Sequence, residues 1–373
     1  MGKPSFTCDV TEYGAVGDGT TDDTAAFKRA IAACIQQSVL GGVVYIPTGK
    51  YRLTQPLYGR YPENGSNYKI RPLTFRGDGK AHSRLLWEST QGKEGKGGLL
   101  LYGTGHSAED ATTVTVEGLS LSTNFDDAGT AIEVKWIKQD GSVYHDHSPL
   151  NKVRVDDVEV TSYDYHGSGP GGAGIGKWSK GLSIAVPWGV DLSHVTICVC
   201  TDAGIELVAP VSCIHFLSHI YINNCDTALR IRNTLEALYL SNFEFVSNRI
   251  GIDADVHSGP VYLINNGHID SATDGAQPAL LMAFSNAEQV KVSNVAGWVH
   301  KSAAATNLMF FGNCKGVAIS NCTLTVVDKL PPSVNGIFVK NCHHVHIFGN
   351  LIAVGGLGES VLSENSSGVH IWP

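Results

Sequence analysis

Tyr13-Gly14-Ala15-Val16-Gly17-Asp18-Gly19-Thr20-Thr21-Asp22-Asp23-Thr24 runs on through Ala25-Ala26-Phe27-Lys28-Arg29-Ala30-Ile31 to Gly41-Gly42-Val43-Val44-Tyr45-Ile46-Pro47. Gly14, Gly17 and Gly19 permit backbone conformations closed to other residues, so the first part reads as a tight loop. Thr21 or Asp22 can cap a helix, and the acidic residues suit its positive end. Phe27, Ile31 and Ile35 form one apolar stripe flanked by alanines. Gly41 and Gly42 stop the helix, and Val43 to Ile46 reads as a buried strand. A helix over Thr21 to Ile35 with a single greasy face needs something to cover, and the open end of a stack of strands is the natural partner.

This stretch resembles the N-terminal signature of the pectate-lyase-like superfamily of right-handed parallel β-helices, which includes phage tailspikes, polysaccharide lyases, glycosidases and alginate epimerases. The resemblance is close over the first fifty residues and continues as a repeat pattern. It implies an all-β fold, a single right-handed parallel β-helix with an N-terminal α-helical cap. The cap would occupy residues 1–50 and the coils residues 51–373 of one structural domain. The motif builds a cap and carries no catalytic group, so it speaks to fold before reaction.

Composition agrees. Of 373 residues only 17% are charged and 42 are glycine, which suits tight turns between buried parallel strands. A net charge of −8 argues against a nucleic-acid partner. No apolar run approaches a membrane span, and the Met-Gly-Lys-Pro start is not a signal peptide. Nine cysteines, mostly inside apolar strands, read as packed free thiols made in a reducing cytoplasm.

A repeat runs through the second half. Ser193-His194, Ser218-His219, Ser241-Asn242, Asn265-Asn266, Ser293-Asn294, Ser320-Asn321 and Gly349-Asn350 end successive apolar segments. Their second members lie 25, 23, 24, 28, 27 and 29 residues apart, about one coil of a three-sided β-helix. Asp156-Asp157 and Glu117-Gly118 extend the series upstream. Asn tolerates left-handed geometry at such turns and stacks in ladders.

A second register follows each turn, as in Ala203-Gly204-Ile205-Glu206-Leu207-Val208 and Thr227-Ala228-Leu229-Arg230-Ile231-Arg232. Alternation puts Ile205 and Leu207 inside and Glu206 and Val208 outside. The first outward column then reads Glu133, Ser183, Glu206, Arg230, Asp253, Leu281, Met309, Phe338. The second reads Lys135, Ala185, Val208, Arg232, Asp255, Ala283, Phe311, Lys340. Charge gathers between residues 133 and 255 and apolar groups follow, which suggests a subunit contact near Met309, Phe311 and Phe338 and hence a homotrimer.

Loops at Gln139 to His147 and Tyr163 to Trp178 flank the charged coils, where Tyr165 and Trp178 suit stacking on sugar rings. His145-Asp146-His147 lacks the further ligands of a metal site, and no metal or cofactor is expected unless a lyase reaction requires calcium. Gly171-Gly172-Ala173-Gly174 lacks the Lys-Ser/Thr and the helix of a phosphate loop. Arg230-Ile231-Arg232 is similar to the Arg-Ile-Lys of polygalacturonases, whose other motifs are missing at coil spacing.

The expected function is cleavage of a bacterial surface polysaccharide by a tailspike-like glycoside hydrolase, carried on a virion tail and released by host lysis. Glu206, Asp253 and Asp255 are the candidate catalytic carboxylates, and Arg230, Arg232, Glu133, Lys135, Tyr165 and Trp178 the candidate substrate contacts. A lyase or C5-epimerase acting on uronic-acid polymers is the alternative, with Arg230 as base by resemblance to pectate lyases. A glycan-binding spike without chemistry is the third reading.

Overall fold

The computed structural model describes residues 6–37, 41–59, 72–89, 91–92, 95–103, 113–136, 152–163, 176–186, 189–209, 214–233, 236–256, 261–272, 278–300, 307–327, 334–354 and 358–372. The chain divides into two compact units, Met1–Thr201 and Asp202–Pro373.

In the first unit the glycine loop is tied by Asp23, whose carboxylate accepts from the Val16 and Gly17 amides at 2.7 and 3.1 Å. Gly17 sits at φ +70°, and a Cβ there would lie 2.9 Å from the Tyr51 ring. Only glycine allows both. The helix spans Thr24–Gln37 and does not begin at Thr21. Asp18 captures the Thr20 and Thr21 amides at 2.8 and 2.7 Å, and Asp18–Asp22 pairs with Gly49–Leu53 as a strand. That local side-chain bonding holds the chain outside the helix for one further turn. Phe27, Ala30, Ile31, Cys34 and Ile35 are buried against the strands Phe6–Asp9, Gly42–Ile46 and Leu57–Tyr58. Phe27 meets the Tyr51 ring edge-on at 5.3 Å. No helix among the described residues is long and apolar enough to cross a membrane.

Among the described residues every regular element after the helix is a strand, paired almost entirely in parallel. The first unit stacks long strands Thr113–Thr123, Lys152–Ser162 and Gly189–Cys198. A second ladder stacks Gly95–Gly103, Thr130–Trp136 and Trp178–Ala185. The second unit repeats the plan. Ile214–Asn223, Ala237–Asn248, Val261–Ala272 and Gln289–His300 form its long ladder. Thr227–Asn233, Ile250–Asp255, Leu280–Ser285, Asn307–Gly312, Asn335–Lys340 and Val361–Glu364 form its short one. One long and one short parallel strand per coil is the pattern of a parallel β-helix.

Each long strand bends where the repeat placed its turn. In the first unit Gly118, Asp157 and His194 have positive φ, and in the second His219, Asn242, Asn266, Asn294 and Asn321 do, all near 50–65°. One left-handed residue turns the corner while keeping apolar side chains inside on both limbs: Leu238, Leu240, Phe243 and Phe245 are all buried. In the last repeat the turn falls on Gly349 (φ 62°), not Asn350. A second ladder, unmarked in the sequence reading, runs through Asn286, Asn313, Asn341 and Asn365 at φ 50–63°. There Asn313 and Asn341 each donate to the preceding asparagine, at 3.2 and 3.1 Å.

The interior is mostly apolar. The Phe284 and Phe311 rings stack at 5.7 Å, and the eight cysteines among the described residues are buried and free. Burial pushes the Cys34 thiol up to about 12, so it packs as a small hydrophobe. Leu281, Met309 and Phe311 belong to this interior, which corrects their expected outward placement. The register instead pairs Asp253 with Ala283, Ala283 with Phe310, and Phe310 with Phe338. Asp255 leads to Ser285, Gly312 and Lys340. The expected frame is two residues short at Leu281 and one short at Met309 and Phe311, and a one-residue slip exchanges the two faces of a strand. The outward groups near the end of the described chain are Phe310, Phe338, Phe348, Leu351 and Trp372, the last three 43–66% exposed.

Candidate active site

The short strands of the second unit carry the charged column in the expected register. Arg230 stands between Glu206 and Asp253, and Arg232 between Val208 and Asp255. Their neighbours Leu207, Ile231 and Ala254 point into the core, so period-two alternation forces the polar residues out.

Three further charges join them. Asp202, Asp226 and Arg249 each immediately precede the first residues in register, Ala203, Thr227 and Ile250. Arg230 Nη1 donates to Asp202 at 2.6 Å and lies 3.6 Å from Glu206, while Nη2 approaches Asp226 at 4.0 Å. Asp226 is gripped by both Nε and Nη2 of Arg249, at 2.6 and 2.8 Å. Arg232 Nη2 reaches Asp253 at 2.5 Å, and its Nη1 donates to the Asp253 carbonyl at 3.0 Å. Asp255 accepts from Asn286 at 3.3 Å. The result is an alternating chain of acids and guanidiniums on one half-buried face.

Two groups have their protonation set by it. Burial pushes the Asp226 carboxyl up, but the Arg249 hydrogen bonds and charge outweigh it and hold the group below the usual carboxylate range. Burial pulls Arg230 down, and Asp202, Glu206 and Asp253 overcome that to raise it. Charge-assisted pairs of this kind fix side chains in place. Among the described residues no three His, Cys, Asp or Glu side chains converge as a metal ion requires.

The other expected contacts fare differently. In the first unit Glu133 accepts from Tyr102 on one oxygen and pairs with Lys135 through the other, so both oxygens are engaged. Trp178 is a correction: it is fully buried, meets Trp87 edge-on at 5.9 Å, and donates to the Thr161 carbonyl at 3.1 Å. It packs the core and cannot stack on a sugar. Tyr165, the Gln139 to His147 loop and Gly171 to Gly174 lie outside the described residues. Sequence reasoning missed Asp202, Asp226 and Arg249. Their signal is a charge directly before the first paired residue in three consecutive coils.

Residues 7–277 match the family described as rhamnogalacturonase A/epimerase, pectate lyase-like. The chain belongs to that family. Among curated proteins, mannuronan C5-epimerase AlgE3 of Azotobacter vinelandii is 44% identical over 57 residues, 15% of this chain and 3% of that protein. A probable rhamnogalacturonase C of Aspergillus flavus is 34% identical over 80 residues, 21% of this chain and 17% of that protein. The matches thus span a small part of these relatives. Among solved structures, a family 28 exopolygalacturonase of Yersinia enterocolitica superposes with a TM-score of 0.52 at 12% identity, covering 98% of this chain and 79% of that one. Tailspike protein 2 of an Escherichia coli O157:H7 bacteriophage gives a TM-score of 0.50 at 11% identity, covering 90% of this chain and 42% of that one. Both likenesses are of fold, the parallel β-helix shared by this family.

Proposed function

We propose that this family member is a glycoside hydrolase cleaving a bacterial surface polysaccharide, and that the Glu206–Arg230–Asp253 column is its reaction centre. The observation that carries the proposal is two outward carboxylates two coils apart with an arginine in register between them. Coils repeat at roughly 4.8 Å, placing the two backbones roughly 9–10 Å apart. That is near the upper end of the separation of roughly 6.5–9.5 Å that leaves room for a water in inverting glycosidases. Glu206, the more enclosed and the looser from its arginine, gives its proton to the glycosidic oxygen. Asp253, oriented by Arg232 and aided by Asp255, takes a proton from the water that attacks the anomeric carbon. The bond to the leaving oxygen breaks with its electron pair, and Arg230 and Arg232 hold an acidic substituent of the glycan.

Lyase or epimerase action on a uronate polymer is the second reading, favoured by the epimerase relative; Arg230 would be its base, and the carboxylates that raise its pKa count against that role. A glycan-binding spike without chemistry is the third, favoured by the completeness of the ion pairing. Incubation with a panel of capsule and O-antigen polysaccharides separates them. New reducing ends without ultraviolet absorbance support the hydrolase, an unsaturated uronate the lyase, and inverted C5 centres without cleavage the epimerase. Binding without products would leave only the spike.

Two architectural proposals accompany this one. The helix Thr24–Gln37 covers the N-terminal end of the stack, where open edges invite strand addition. A Phe27→Asp/Ile31→Asp protein that stays soluble with an unchanged melting temperature would refute it. The outward Phe310, Phe338 and Phe348 pack between copies in a homotrimer, as wet aromatics are costly, and a monomer in light scattering at micromolar concentration would refute that. A place on a virion tail, reached by host lysis, follows the tailspike likeness and would fall if intact cells export the protein.

A further inference from the structure

The outer face of the long strands in the second unit carries side chains that the active-site column does not use. Tyr221, Glu244, His268 and Ala296 stand in register on successive coils, and Asp270 and Trp298 do so one pleat further along. Tyr221, Asn242, Phe243, Glu244, Asn266 and His268 help to line a cavity of about 510 Å³. The His268 ring lies 4.2 Å from Trp298, tilted by 54°. Its Nδ1 is 3.5 Å from Glu244 Oε1, and the Glu244 side chain is 54% exposed. Its Nε2 has no hydrogen-bond partner among the described residues. The Tyr221 hydroxyl accepts from Asn223 at 3.1 Å, which fixes the phenol.

This arrangement does little for stability. A partly exposed pair at 3.5 Å contributes at most about 1 kcal/mol, and Trp298, which is partly buried, stands beside the cavity against His268 and is not one of its lining residues. It does match what a sugar needs: an aromatic surface for the C–H face of the ring, and a few polar groups beside it for hydroxyls. Among the described residues Glu244 is the only acid of the lining, and no Lys or Arg joins it. A uronate would therefore be repelled here, in contrast to the arginines of the short-strand face.

We propose that this face is a second carbohydrate subsite, taking an uncharged pyranose unit with its ring against Trp298 and its hydroxyls donating to Glu244. The inference rests on the glycan reading for its ligand class and not on the catalytic column. Saturation-transfer NMR with cello-, malto-, chito- and galacto-oligosaccharides, and with alginate oligomers as the acidic control, tests it. At least one neutral series should bind wild type and Glu206→Gln equally. Trp298→Ala and Glu244→Gln should each weaken that binding at least tenfold. Glu244→Gln changes an exposed side chain and keeps the test readable should Trp298→Ala not fold. The proposal is overturned if no neutral oligosaccharide binds at millimolar concentration or if both variants bind as wild type does. It is equally overturned if only the acidic oligomers bind, or if Trp298→Ala changes the oligomeric state, which would make the face a subunit contact. Loss of hydrolysis in Glu206→Gln bears on the active site alone.

Discussion

The two outward faces of the second unit are built from the same coils yet spend their polar groups differently. On the short strands Glu206, Asp202, Asp226 and Asp253 all lie against guanidiniums. On the long strands histidine takes that role, with His268 facing Glu244 and His300 Nε2 meeting Asp270 at 2.6 Å. Arginine donates through a rigid planar fork, whereas an imidazole offers single ring nitrogens. One face is therefore a multiply braced electrostatic scaffold and the other a set of single contacts.

The largest expected effect lies under the long-strand face and is read through pH. His215 lies at the start of the long strand Ile214–Asn223 and is buried, and desolvation lowers its pKa from 6.5 to about 4. Below pH 6.5 the unfolded chain takes up a proton that the folded chain refuses. The His215 contribution is thus intact above pH 6.5, declines as pH falls, and is exhausted near 4, a loss of roughly 3 kcal/mol. Asp226 acts in a lower window, because its depressed pKa stabilises the fold above 3.8 and is lost only as pH falls further. Denaturant midpoints for His215→Leu should be flatter than wild type between pH 6.5 and 4. Parallel curves would mean that acid acts elsewhere.

The next effect concerns the scaffold face itself. Glu206→Gln and Asp253→Asn should each lower turnover at least about a hundredfold, roughly 2.7 kcal/mol in the barrier, with the melting temperature nearly unchanged. If both variants keep activity and melt earlier, the arginine-rich face is an ion-pair ladder and the contrast with the histidine face is one of stability alone.

Both faces rest on features that were unevenly legible in the sequence. The turn ladder was readable because His219, Asn242, Asn266, Asn294 and Asn321 are residues that tolerate positive φ at coil spacing. The Glu206–Arg230–Asp253 register was readable because each charge sits between two apolar neighbours. The frame failed at Leu280-Leu281-Met282-Ala283, where a run without polar residues gives alternation nothing to mark the outer face, and it was still one residue out at Met309 and Phe311. Trp178 was misread because an aromatic beside a glycine-rich loop looks exposed until Trp87, far away in sequence, is seen to meet it. The Tyr221–Glu244–His268 row has no sequence signal, because a phenol, an acid, an imidazole and then Ala296 share a register position without a common chemistry.

The smallest effect lies beneath the histidine face. Tyr262, on the long strand Val261–Ala272, is fully buried, and its ring packs 5.1 Å from Phe284. Its hydroxyl has no hydrogen-bond partner among the described residues, and burial pushes its pKa up. An unpaired buried hydroxyl costs free energy that phenylalanine, of nearly the same shape, does not incur. Tyr262→Phe should therefore stabilise the protein by about 1 kcal/mol, raising the melting temperature by about 2–4 °C. The short-strand face offers no such gain, since truncating any of its paired groups strands a charge. A lower melting temperature for Tyr262→Phe in calorimetry would mean that a water satisfies the hydroxyl, so that the long-strand side too is fully paired below its surface.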